Sequence, residues 1–152
     1  MALRNVVKYG DDILRQKSRA VENFDGRLAA LLDDLIETME KESGAGLAAV
    51  QVGILKRVAV IKTGAVLYEL INPVIIKSEG VVCDSEGCLS IPGKRADVLR
   101  PKTVTVRTFD RKGKIKEYTV NDYTARAFCH EMDHMDGVLF IDKIQLPKEK
   151  NK

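Results

Sequence analysis

The chain has no tryptophan and only two histidines, and phenylalanine and tyrosine contribute four residues each. A core built from it must be filled by Val, Ile, Leu and Ala rather than by large rings. No apolar run approaches the roughly 20 residues needed to span a bilayer, so no membrane association is expected. The opening MALRNVVKYG lacks the apolar stretch of a secretory signal, and a cytoplasmic location is expected. Three cysteines cannot all pair with one another. In a reducing compartment they are expected as buried thiols or ligands rather than disulfides. A formal net charge of +3 is too small to argue for direct, specific nucleic-acid binding.

What is present suits one compact domain: 152 residues, 45% hydrophobic and 31% charged. Neither internal repeats nor low-complexity linkers interrupt it. DDILRQK at 11–17 predicts a short helical turn. FDGRLAALLDDLIETMEKES predicts a long helix, with Leu28, Leu31, Leu32, Leu35, Ile36 and Met39 on one stripe and Asp25 as its cap. GAGLAAVQVG at 44–53 reads as a glycine-punctuated loop, without the lysine of a phosphate-binding loop. RVAVIK, LYELI and VIIKSEGVVC predict strands, the last two broken at Asn72-Pro73, and SEGCLSIPG is turn-rich. KTVTVRTF and KIKEYTV around a DRKG turn predict a hairpin. A last helix is expected between a cap at Asn121 and a stop at Gly137. Helix, many strands, then helix is an α+β order.

Both histidines sit in FCHEMDHMDG, residues 128–137. His130 and His134 are four apart, so on a helix they share a face and can chelate one ion. Tyr123 and Ala127 continue that face, which is expected to point inward. Glu131 between them can act on a water without being a ligand, which is the mechanical content of H-E-x-x-H. Two imidazoles are too few for a catalytic centre, which takes three protein ligands. The metzincin third histidine fails, because its position holds Phe140. Glu149 lies in a polar tail, and Asp136 has no geometric case. Cys129 is rotated about 100° from His130 around the helix. Cys83 is expected to be a buried structural thiol at the end of an apolar strand. Cys88, beside Gly87, is either a presented thiolate or another buried thiol.

Three motifs stand in order: GAGLAAVQ at 44–51, EGCLS at 86–90 and HEMDH at 130–134. Together they resemble the signature of the peptide deformylases, from YGDDILRQ near the start to GVLFIDKI near the end. The resemblance implies a compact single α+β domain with antiparallel sheets around a central helix carrying HExxH. The catalytic domain would span 1–146, and 147–152 would be a short basic, disordered tail. It implies hydrolysis of the formyl group from the N-terminal formyl-methionine of new polypeptides. Cys88, His130 and His134 correspond to the metal ligands, with Fe²⁺ the usual ion and Ni²⁺, Co²⁺ or Zn²⁺ as substitutes. Glu131 corresponds to the acid/base, and Gln51 and the Leu89 N–H to the oxyanion stabilisers. Gly46 would meet the peptide, with Tyr123 and Ala127 near the methionine. Partners would be nascent N-formylmethionyl peptides, with transient ribosome proximity and a monomeric chain. The sequence departs from the family's usual residues at Val50, where proline is frequent, and at Cys129, where glutamine is common. Cys129 is expected to be a small buried residue.

Overall fold

The computed structural model describes residues 2–144, and the expected tail at 147–152 lies outside them. Among the described residues no helix is long and apolar enough to cross a membrane. Helix α1 spans Gly26–Lys41, and the Asp25 carboxylate accepts from the N–H groups of Arg27 and Leu28, as expected of its cap. Strands β1 (Gly46–Ala48), β2 (Val58–Thr63) and β3 (Val66–Glu79) follow. Then come β4 (Val82–Cys88), β5 (Ile91–Arg100), β6 (Thr103–Phe109) and β7 (Ile115–Asn121), and the helix α2 (Asp122–Met135). The expected turn near the start is a 3₁₀ helix at Asp12–Arg15. One antiparallel sheet has the order β1-β2-β3-β6-β7, and β4 and β5 form a second, two-stranded sheet.

The two helices use different sides of β2. Leu28, Leu31, Leu32, Leu35 and Met39 of α1 pack with Val58 and Val60. The intervening residues turn toward α2: Ile61 packs with Phe128 and Met132, and Ala59 with Met135. Strand alternation makes this division automatic, and it explains why RVAVIK is apolar at successive positions. The layer so formed anchors α2 against the large sheet, while α2 also contacts β5 of the small one.

Four expectations change. Strand β3 runs through Asn72-Pro73 instead of breaking there. It bends at register shifts between Ile71 and Val74, with Asn72 at φ 51°. The Asn72 side chain both accepts from the Val21 N–H and donates to its carbonyl, so the irregular residue is fastened laterally. A bulge thus accommodates proline where a regular ladder would not. SEGCLSIPG is mostly a strand hairpin, with Leu89 and Ser90 between the two strands. The glycine loop contributes β1 and then a 3₁₀ turn at Ala49–Val52. Asn121 occupies the cap position of α2, but its side chain accepts from the Thr103 hydroxyl and does not cap.

Gly137 ends α2 as expected, at φ 75°, and a Cβ there would collide with the Arg15 carbonyl. Gly137→Ala therefore meets both a disfavoured backbone region and rigid main chain. The expected loss is more than about 1 kcal/mol, read as a lower urea midpoint with unchanged slope. A wild-type midpoint would show that this turn relaxes freely.

Candidate active site

His130 and His134 lie one turn apart on α2 with ring centroids 5.0 Å apart. Cys88 reaches them from the end of β4, its Sγ 3.3 Å from His134 Nε2. One donor atom from each of these three residues lies within 4.8 Å of the others. Cys83, by contrast, is exposed, which corrects the expectation of a buried thiol. Four residues lie between it and Cys88, and of the two cysteines on this strand the last residue alone brings its sulfur to the histidines of α2. Cys129 is buried among Ile61, Leu70 and Phe128, away from the donor cluster, and burial pushes its thiol up to about 11.

Glu131 is buried beside this cluster, with Oε2 4.0 Å from His130 Nε2 and Oε1 without a hydrogen-bond partner. Burial pushes its carboxyl up to about 7. Gly46 of β1 passes against it, and a Cβ there would fall 2.7 Å from Oε2. Only glycine allows that close approach. Gln51 is oriented from behind: its Oε1 accepts from the Ala48 N–H at 2.9 Å. Its amide nitrogen therefore faces the other way, 3.1 Å from Ser90 Oγ and 3.6 Å from Cys88 Sγ.

A cavity of about 450 Å³ opens onto this group. Gly46 and Gln51 line one wall, Leu89 another, and Tyr123 and Ala127 of α2 a third. Tyr123 is 60% exposed, so the inward-pointing face of α2 does not extend to it, and it stands at the rim. The helix begins at Asp122, its first two residues are exposed, and burial starts at Ala125.

The sequence reading missed a buried carboxylate, Glu86. It takes a two-point ion pair from Arg100, at 3.1 and 2.7 Å, and a third bond from Arg126 at 3.0 Å. It also accepts from His130 Nδ1. Arg100 continues to Asp133, which Lys143 also meets. Arg126 is buried in this network and also bonds the carbonyls of Val98 and Val82. Spacing held a signal: Glu86 precedes Cys88 by two residues on a strand, and Arg126 precedes His130 by four on a helix.

Burial opposes the charge on Glu86, but hydrogen bonds from His130 and Arg100 outweigh it and hold the carboxyl far below its ordinary value. An ionised carboxylate only accepts, so His130 Nδ1 carries the proton and Nε2 is left to bind. Burial also works against charge on His130. Glu131, Cys88 and Glu86 reverse this and push it up to about 10. A cation and that second proton compete for one lone pair. Burial, with His130 and Arg100 nearby, holds His134 well below its ordinary value, so its lone pair is free.

Two imidazoles and a thiol, with an orphaned carboxylate oxygen beside them, fit a divalent transition-metal ion with an open position. Removing the Glu86 charge should release the His130 tautomer. Glu86→Gln is expected to weaken metal binding by about 10- to 100-fold, measured by chelator competition on protein with a wild-type circular dichroism spectrum. Unchanged affinity would mean that the carboxylate does not orient the ligand.

The family model of polypeptide deformylase matches residues 3–150. The peptide deformylase of Alkaliphilus metalliredigens is 54% identical over 144 residues, covering 95% of this chain and 98% of that one. Crystal structures of peptide deformylases from Thermotoga maritima and Legionella pneumophila superpose with TM-scores of 0.94 and 0.91, at 36% and 39% identity. The first match covers 96% of this chain and 100% of the other; the second covers 95% and 87%. Alike in sequence and fold over nearly its whole length, the chain belongs to the polypeptide deformylases, metal-dependent hydrolases that remove the N-terminal formyl group from nascent peptides.

Proposed function

We propose that Cys88, His130 and His134 hold one divalent ion, Fe²⁺ in the cell, with Ni²⁺, Co²⁺ or Zn²⁺ as working substitutes. When bound, such an ion acidifies water and polarises a carbonyl oxygen. Glu131 takes the proton of the attacking water and returns it to the departing amine. The orphaned Glu131 oxygen, buried beside the three donors, is the observation that supports this assignment most directly. Its raised proton affinity suits a group that must hold and then release a proton.

Negative charge builds on the formyl oxygen as the carbonyl carbon becomes tetrahedral. The Gln51 amide, aimed by the Ala48 N–H, and the Leu89 backbone N–H are the donors for that charge. Gly46 lies on β1, an edge strand, where an extended peptide can pair with its backbone. Ala127 leaves room for the methionine side chain, and Tyr123 covers it at the rim. Formate and a free N-terminal methionine result. The enzyme acts as a cytoplasmic monomer on nascent chains, close to the ribosome only transiently.

Formate release from a formyl-Met peptide by metal-loaded protein tests this assignment. Glu131→Gln is expected to lower kcat by about 10²- to 10⁴-fold while the metal content stays the same. Wild-type turnover in that variant would remove Glu131 from the mechanism. Cleavage of internal peptide bonds without formate would replace deformylation with proteolysis.

A further inference from the structure

The cavity that reaches Cys88 and Glu131 continues outward along the β4–β5 hairpin, past Gly93, Lys94 and Arg95. Its acidic lining residues are Glu86 and Glu131. The first is saturated by Arg100, Arg126 and His130, and the second is buried at the metal-ligand cluster. The outer wall is different. Among the described residues neither Lys94 nor Arg95 has a carboxylate within ion-pair distance. Asp97, farther along β5, does not line the cavity.

Arg95 is held in place without being neutralised. Its Nε donates to Ser85 Oγ at 3.1 Å and its Nη2 to the Ser85 carbonyl at 3.3 Å. The guanidinium lies over Gly87, where a Cβ would stand 2.8 Å from Nη1. Gly87 is the neighbour of Cys88, so this charge sits one residue from the metal-ligand cluster. Lys94 adds a second, exposed charge on the same wall. A peptide leaving the site in extended form advances about 3.3 Å per residue, and Lys94 and Arg95 line the same cavity that it would leave through.

We propose that Lys94 and Arg95 form a cationic subsite favouring N-formylmethionyl peptides with a carboxylate side chain at the second to fourth residue. This rests on the deformylase assignment and adds a preference to it. The subsite meets peptide side chains beyond the formyl-methionine and not the reacting atoms, so it acts on KM and leaves kcat nearly unchanged. Its wet, exposed setting limits each ion pair to a modest factor that salt screens.

Formyl-Met peptides carrying Asp or Lys at the second, third or fourth position test it with the metal-loaded enzyme. At one or more positions the Asp peptide is expected to exceed its Lys counterpart about five- to tenfold in kcat/KM at low salt. The ratio should shrink toward one at about 0.5 M salt. Lys94→Glu should lower or invert it while leaving turnover of an uncharged peptide intact. Equal values for every Asp and Lys pair, or a ratio that Lys94→Glu does not move, would overturn the subsite. Absence of formate from all peptides, the uncharged one included, would overturn the deformylase assignment and the subsite with it.

Discussion

The buried Glu86 carboxylate is the constraint on which the site depends. It joins β4 to Arg100 of β5 and to Arg126 and His130 of α2, so one charge ties the small sheet to the helix. Such a charge is costly to desolvate and persists inside a protein only when fully paired. Three donors meet that condition here. Shifting the hairpin against α2 would strip Glu86 of partners, so the relative position of Cys88 and the histidines is strongly determined. The same bond chooses the His130 tautomer, which makes a structural ion pair part of the chemistry.

The large sheet supplies the opposite wall by a different force. Apolar alternation on β2 seats α1 on one side and α2 on the other. That packing brings β1 beside Glu131 at a separation only glycine permits, at Gly46. Gln51 follows in the next turn, its amide aimed by the Ala48 N–H. The site is therefore assembled from two sheets that α2 holds together, and neither sheet carries enough of it alone.

Local periodicity was legible wherever one face of one element decided the outcome. The leucine stripe of α1, the β6–β7 hairpin and the stop at Gly137 follow from side-chain spacing and backbone freedom alone. Elements whose form depends on a distant partner were not. Asn72-Pro73 bends β3 without ending it because the Asn72 side chain is fastened to Val21, fifty-one residues away in the chain. Asn121 leaves α2 uncapped because Thr103 takes its side chain.

The sequence by itself determined the α+β order, the paired histidines and the glutamate between them, because helical spacing places i and i+4 together. It also narrowed the family, through three short motifs in order. Resemblance through EGCLS implied that Cys88 joins the histidines, but only the tertiary structure supplies the physical reason. Cys83 and Cys88 share β4, yet a register shift between Gly87 and Cys88 and the turn after it present the latter alone to α2. The pairing of Glu86 with its arginines likewise emerged only in three dimensions, although spacing along β4 and α2 hinted at it. Charged residues on strands and helices ordinarily face water, and only long-range packing turned these inward.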